Sequence, residues 1–329
     1  MKRPLYILSL LAASAFGLTG CNQQPQTGAA PANLVLRIGH FPNITHVQAL
    51  VANALTRQGK GWFEQRLGPN VTIQWYSYNA GPSATEGILA GSIDMTFVGP
   101  SPAINAYARS GGKEIRIVSG AADGGSALVV QPDQNLKTQA DFKGKKIATP
   151  QLGNTQDISC REWLTAGGLS VTQNGGDAQV IPTENPDQLA LFKLKKIDAA
   201  WTVEPWVSRL ELEGGGVPLV NGTDTITVLV TSTKFLSDHG DIVEKFVAAE
   251  HDLTAWIQHN PDEAQKLVQS ELDAETKGKI SAALIAHAWK TIITTDTVSL
   301  PALEQFVSNA KAAGFLHQVP DLSQLIVNP

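Results

Sequence analysis

The chain has 329 residues, with 25 Lys and Arg against 30 Asp and Glu, and a formal net charge of −5 at pH 7. That balance excludes a nucleic-acid-binding face and a polybasic contact with a membrane surface. Its two cysteines, Cys21 and Cys160, form no cluster that would hold a metal.

Residues 1–20 read as an export signal rather than as structure. Lys2 and Arg3 supply a positive start, and Leu5 to Leu18 is apolar but too short to span a bilayer and stay there. The run ends Leu18-Thr19-Gly20-Cys21, small residues before a cysteine, which resembles the lipobox of bacterial lipoproteins. The resemblance implies cleavage before Cys21 and acylation of its thiol and amine. The chain is then exported to the periplasm or the cell surface and held to a membrane by lipid alone. Lys2 and Arg3 leave with the signal, which moves the net charge from −5 to −7. Only Cys160 then remains beside the lipidated cysteine, so no internal disulfide forms. Asn22 to Pro31 is polar and punctuated by proline, within a flexible tether over residues 21–33. The remaining length suits two lobes with ample core.

The first strand is Leu34 to Gly39, followed by a loop from His40 to His46 and a helix from Val47 to about Gln58, capped by Asn43 or Thr45. A short helix follows Gly59-Lys60-Gly61. Next come a strand at Val71 to Trp75, the loop Asn79-Ala80-Gly81-Pro82, a helix, an Ile93-Asp94 turn and a strand ending Phe97-Val98-Gly99-Pro100. A helix then runs to about Ser110, followed by strands at Ile115–Val118 and Gly124–Val130. After a connector, Lys145 to Thr149 is a strand, Pro150 to Gln156 a glycine-containing loop, and a helix extends to about Ala166. Ala178 to Ile181 is a strand, and Gly214-Gly215-Gly216 a turn. The C-terminal third is helical, with Ile242, Val243, Phe246, Val247 and Leu253 at helical spacing and further helices from Pro261, over Ile280–Thr291 and over Leu303–Ala312.

Two stretches echo each other. Eleven residues after Pro82 comes Ile93-Asp94, then Phe97-Val98-Gly99-Pro100. Eleven residues after Pro186 comes Ile197-Asp198, then Trp201 to Trp206. Each reads as strand, loop, helix opened near a proline, turn and strand, because proline suits the first helical turn. The period of about 100 residues is too long for a solenoid, so the echo predicts two similar α/β lobes. In open α/β sheets ligands sit beyond the C-terminal ends of the strands. Val98 to Ser101 and Val203 to Trp206 fall there, and two such edges make a cleft.

Arg37-Ile38-Gly39 with Asn43 and His46, Gly91 to Asp94, Gly99-Pro100, Asp141 to Ala148 and Glu204-Pro205-Trp206 together resemble the substrate-binding proteins of ABC importers. The branch is that of the aliphatic sulfonate, nitrate and taurine binders, related to the thiamine-precursor binders. The resemblance covers nearly all of residues 34–329. It implies an α/β, type II periplasmic binding protein (a Venus flytrap) with two crossover segments, placed near Leu128–Val130 and Ile226–Val230. Lobe one is then residues 34–128 and 229–329, and lobe two residues 129–228. It also implies a monomer without cofactor, whose partners are a small anion or zwitterion and an ABC permease. With no P-loop in the chain, the ATPase is a separate polypeptide.

Seven histidines invite a metal, yet no pair has the short spacing of a zinc site. Gly124-Gly125-Ser126 is no nucleophile elbow, and Ser101 lies between prolines. The thiamine-pyrimidine synthases that share the fold resemble it with a cysteine-rich catalytic motif, absent here. Catalysis is not expected. A sensor receptor on the same fold is the alternative to transport.

The expected ligand donors come from both lobes. Lobe two offers Gly153, Asn154, Thr155 and Gln156, where a helix end attracts an oxyanion or Asn and Thr merely cap it. Lobe one offers Asn43, Asn79 with Gly81, and Gly99 with Ser101. Phe41 and Trp206, with Tyr78 and Trp201, supply an apolar wall or core. Glu204 either holds an amine or hydroxyl of a zwitterion, as in taurine or a pyrimidine, or serves as a hinge or N-terminal cap before Pro205. Arg161 reaches the cleft, decorates a helix face or pairs in the neighbourhood of Glu162. The expected ligand is an aliphatic sulfonate or taurine-like compound, with nitrate, bicarbonate or a thiamine precursor as alternatives.

Overall fold

Strand β1 (Leu34–His40) is followed by a 3-10 turn (Ile44–His46), helices α1 (Val47–Arg57) and α2 (Trp62–Leu67), and strand β2 (Val71–Ser77). These come from a computed structural model that describes residues 33–318 and 321–329. The export signal, Cys21 and the tether through residue 32 lie outside the described residues. Next are α3 (Gly81–Leu89), β3 (Met95–Val98), α4 (Pro100–Arg109), β4 (Ile115–Gly124), β5 (Ser126–Val130) and β6 (Lys146–Thr149). Helix α5 (Thr155–Ala166), the hairpin of β7 (Val171–Thr172) and β8 (Gly175–Gly176), β9 (Gln179–Pro182), α6 (Asn185–Lys193) and β10 (Ala199–Val203) come after them. Then follow α7 (Trp206–Gly214), β11 (Val217–Gly222), β12 (Thr225–Ser232), α8 (Thr233–Asp238), α9 (Gly240–His259) and α10 (Pro261–Thr276). The chain closes with α11 (Ala282–Trp289), β13 (Ile292–Thr294) and α12 (Leu300–Ala312).

The strands form two main sheets. One has the order β13-β4-β12-β3-β1-β2, the other β11-β5-β10-β6-β9. Laid side by side, β2-β1-β3-β12-β4 and β9-β6-β10-β5-β11 are the same arrangement. The first three strands of each run parallel, the fourth antiparallel to the third, and the fifth antiparallel to the fourth. The sequence echo is this symmetry. In each lobe a nine-residue helix, α3 or α6, with proline at its start links an edge strand to the third strand, and the helix length sets the eleven-residue spacing.

The crossings between sheets lie a few residues before the expected positions. Leu128–Val130 pairs along its length with Ala199–Trp201 inside the second sheet, and Val228–Val230 pairs with Thr96–Val98 inside the first. The chain changes sheet at Gly124-Gly125, both at positive φ, and again between Gly222 and Thr225. The apolar runs are needed as strand interiors and cannot carry the bend. Glycine reaches φ > 0 without steric penalty and can.

Each sheet buries its own core. On the first, Leu36, Leu50, Phe63 and Phe246 pack together with α1, α2 and α9, and Phe63 stacks on Phe246 at 4.0 Å. Trp256 and Trp289 pack on this core, as their spacing suggests. On the second, Phe142, Ile147, Cys160, Leu164 and Trp201 form the inner layer. Burial pushes the Cys160 thiol up, so it behaves as a small apolar side chain. Among the described residues no helix is long and apolar enough to cross a membrane.

One core group has a pH consequence. Glu250 in α9 is buried, accepting hydrogen bonds from Ser119 Oγ at 2.7 Å and Thr254 Oγ at 3.1 Å. Burial pushes its carboxyl up to about 8 from an ordinary 4.5, with these two bonds pulling the other way. Between those values the folded chain holds a proton that the unfolded chain releases. This stabilisation is complete below the ordinary value and is lost as pH rises through about 8. Glu250→Gln keeps the shape without the charge. It should leave stability near pH 4 almost unchanged and raise it by about 4 kcal/mol near pH 8.5. Thermal melts at the two pH values check this, and equal melting temperatures for parent and variant at both would refute it.

Candidate functional site

The C-terminal ends of the strands of both sheets face one crevice. From the first lobe come Phe41 and Asn43 after β1, Asn79 and Gly81 after β2, and Gly99 after β3. From the second come Asn154, Thr155 and Gln156 after β6, and Val203 at the end of β10. These enclose a cavity of about 30 Å³, room for a compact head group.

Helix starts dominate its walls. The first turns of α3, α4 and α5 and the 3-10 turn before α1 all begin at cavity residues. The first N–H groups of a helix have no partner within it, and its N-terminus carries partial positive charge. In α5 the Asn154 side chain takes the N–H of Asp157 at 2.9 Å, which leaves those of Thr155 and Gln156 at the open end. The Thr155 hydroxyl is buried and has no hydrogen-bond partner among the described residues. Among the described residues no Lys, Arg, Asp or Glu lines the cavity. Such a site neutralises an anion by dipoles and neutral donors, which suits a compact oxyanion.

His46 is part of the wall, though sequence reasoning assigned it no ligand role. It is fully buried, lies 4.2 Å centroid to centroid from Phe41, and its Nδ1 accepts the Phe41 N–H at 3.4 Å. Burial, reinforced by nearby His40, holds its pKa well below the usual 6.5, so the ring is neutral at pH 7. Thr45, Pro150 and Ile226 also line the cavity and were not expected. Only their position beside expected residues hinted at them.

The lobes are in contact across the crevice. Trp206 Nε1 donates to Asn43 Oδ1 at 3.0 Å, and Asn79 Nδ2 donates to the Pro150 carbonyl at 3.3 Å. Gln151 Nε2 donates to Ser83 Oγ at 2.9 Å, and the Ile44 N–H donates to the Glu204 carbonyl at 2.9 Å. Gly99 is packed so closely on Thr155 that an added Cβ would overlap its hydroxyl.

Four expectations change. Gly153 does not line the cavity, and its N–H is already taken by Asp157 Oδ2 at 2.9 Å. Ser101 is buried outside the lining, within the first turn of α4. Glu204 does not reach the ligand space. Its carboxylate accepts the Ser208 N–H and hydroxyl, each at 3.0 Å, and the Thr291 hydroxyl at 3.4 Å, which is the capping role. Burial pushes it up to about 7. Trp206 stands outside the small cavity, on the wider mouth it shares with Tyr78 and Arg209.

Arg161 is neither exposed nor paired near Glu162. It is 1 % exposed, pairs with Asp157, and donates to the carbonyls of Thr172 and Val180. Its i, i+4 partner and the turn of the β7–β8 hairpin draw it inward.

Ser208 Oγ also lies 2.9 Å from His287 Nδ1. The hydroxyl is thus the buried middle member between an imidazole and a carboxylate, which is not the nucleophile–base–orienter order of a hydrolase. Among the described residues no group of three or more His, Cys, Asp or Glu is placed to hold a metal ion.

Residues 29–271 match the NMT1-like family. A Bacillus subtilis (strain 168) protein named as a candidate aliphatic sulfonates-binding protein is 27 % identical over 285 residues, covering 84 % of this chain and 80 % of its own. The taurine-binding periplasmic protein of Escherichia coli (strain K12) is 24 % identical over 214 residues, covering 64 % of each chain. Among solved structures, the alkanesulfonate-binding protein SsuA of Xanthomonas axonopodis pv. citri, bound to MOPS, superposes with a TM-score of 0.74. It is 21 % identical and covers 91 % of this chain and 100 % of its own. The fold is therefore the two-lobed periplasmic binding protein fold expected from the sequence.

Proposed function

This chain belongs to the NMT1-like family, and from that premise we propose that it is an exported solute-binding protein. It captures a small organic anion, an aliphatic sulfonate or taurine-like compound, and delivers it to an ABC importer. One observation carries the reading. Helix starts from both lobes meet at a cavity that, among the described residues, has no charged lining and leaves the Thr155 hydroxyl without a partner. Lobe one (residues 34–124 and 225–329) and lobe two (126–222) close on the acidic head. The permease and ATPase are separate chains, and the protein works as a monomer and as a binder rather than an enzyme.

A thermal-shift screen over ethanesulfonate, taurine, nitrate, bicarbonate and thiamine precursors tests this, because a ligand of the native state raises its melting temperature. Sulfonates should give the largest shift. No shift with any sulfonate would overturn the reading, and a shift with nitrate alone would replace it. Thr155→Ala should weaken sulfonate binding about tenfold or more, the loss of one hydrogen bond to a charged group. Calorimetry showing parental affinity would remove Thr155 from the site.

The tether and Cys21 anchor the protein to a membrane through acyl chains. Cys21→Ser should release it into the soluble fraction or block its processing. Unchanged sedimentation with membranes would end the lipoprotein proposal.

A further inference from the structure

Helix α7 of the second lobe packs on α11 of the first, close to the point where the chain first changes sheet. Between the two helices stand Glu204, Ser208 and His287. Ser208 is fully buried, and Glu204 is 1 % exposed. We propose that these side chains form a clasp between the lobes, positioning residues that hold the crevice closed on its ligand, and that the clasp grips more tightly with a proton bound. Ligand affinity would then rise as pH falls, even though a sulfonate head does not titrate. The inference rests on the reading above and adds to it a control on closure.

Three observations lead there. First, the group bridges the lobes. Ser208 Oγ lies 3.0 Å from Glu204 Oε1 in its own lobe and 2.9 Å from His287 Nδ1 in the other. The Thr291 hydroxyl, just beyond α11, reaches Glu204 at 3.4 Å. Second, the group is joined to the site. The Glu204 N–H donates to the Gly125 carbonyl at 2.8 Å, at the first crossing, and its carbonyl accepts the Ile44 N–H at 2.9 Å. Trp206, two residues before Ser208 on α7, holds Asn43 of the cavity wall. A movement of α7 away from α11 therefore loosens Asn43 and the turn that follows it.

Third, the protons are constrained. A serine hydroxyl has one hydrogen to donate. If Ser208 gives it to Glu204, His287 Nδ1 must carry a hydrogen; if Ser208 gives it to His287, Glu204 must carry one. At high pH only the first arrangement is possible, and it buries a carboxylate that no cation compensates. Glu211, farther along α7, adds repulsion. From the first lobe, His46 is held neutral by burial and Lys290, at the end of α11, is exposed. One added proton makes the relay either a neutral acid bonded to serine or an ion pair through it, and both remove the stranded charge. Burial accordingly pushes the Glu204 carboxyl up to about 7 from an ordinary 4.5, towards which it returns when the lobes part and water enters. Closure takes up a proton between those values. The added grip is complete below the ordinary value and is lost as pH rises through about 7.

The test is calorimetry with ethanesulfonate, which stays ionised throughout, at about pH 6 and about pH 8.5. The parent should bind about threefold or more tighter at the lower pH. Glu204→Gln, whose amide donates to Ser208 as the protonated acid does, should bind equally at both, near the parent's tighter value. A merely structural role for Glu204 would not remove the slope. His287→Leu should weaken binding about fivefold at the higher pH, the loss of one hydrogen bond between lobes. His287→Asn, with its amide where Nδ1 stood, should recover most of that loss. Equal affinity of the parent at both pH values, or a slope that survives Glu204→Gln, would overturn the clasp and leave the proposed function standing. If Glu204→Gln does not fold, parental affinity in His287→Leu would overturn it. Failure of ethanesulfonate to bind at either pH would bring down the proposed function. The clasp is then read from the ligand-free protein by small-angle scattering, where dimensions unchanged between the two pH values would overturn it as well.

Discussion

Gly99→Val is expected to weaken ligand binding about a hundredfold, the loss of two or more hydrogen bonds to a charged group. Without ligand, its melting temperature should stay near that of the parent. Gly99 sits at φ −66 and ψ 152, a backbone geometry open to any residue, so the substitution does not strain the chain itself. What it obstructs is contact between lobes. A Cβ there would overlap the Thr155 hydroxyl and come within 3.6 Å of the Ile226 carbonyl. Valine adds two methyl groups beyond that and props the crevice open. A ligand would then meet one lobe's donors without the other's, and water would enter beside it. Calorimetry reads the affinity, and small-angle scattering reads whether ligand still compacts the protein. Parental affinity together with normal compaction would show that Gly99 and Thr155 do not need to meet.

The second large effect is on stability. Arg161→Met should destabilise the protein by about 3–5 kcal/mol, because it leaves a buried carboxylate without its counter-charge. Asp157 is fully buried. Its oxygens take Arg161 Nε and Nη2, each at 3.1 Å, the Thr149 hydroxyl at 3.0 Å and the Gly153 N–H at 2.9 Å. The same carboxylate therefore orients the loop that begins the lobe-two side of the site. The loss corresponds to a fall of about 10 °C in melting temperature. Adding Asp157→Asn should recover part of it, since removing both charges is milder than stranding one. A melting temperature within two degrees of the parent's, roughly the yield of a surface pair, would refute the account.

These residues also show where sequence reading stops. The helices opened by Pro82 and Pro186 were legible because proline at a helix start and apolar periodicity are local signals. The cavity residues Asn43, Asn79, Gly99 and Thr155 followed from one rule, that strand ends face the ligand. Glu204 obeys the same rule of position, but its side chain turns back to Ser208 and reaches Thr291 across the lobes. Arg161 has its carboxylate partner four residues away, a spacing visible in the sequence. What could not be read was the pair of carbonyls, at Thr172 and Val180, that completes its burial. Direction and burial depend on neighbours far along the chain, and a single sequence does not record them. Gly153 failed for a related reason. Its place in the loop was right, but its one N–H was already engaged.

The interleaving of the two sheets fixes an order of assembly. The second sheet draws its strands from one continuous stretch, Ser126 to Gly222. The first cannot be completed from its early strands alone, because β12 lies between β3 and β4 and β13 on the far side of β4. A chain emerging from the ribosome thus contains every strand of its second sheet before residues 225–232 exist to join the two parts of the first. The segment that carries β1 to β4 is the one that must wait longest for its neighbours, and until residues 225–232 are made its sheet stays unfinished.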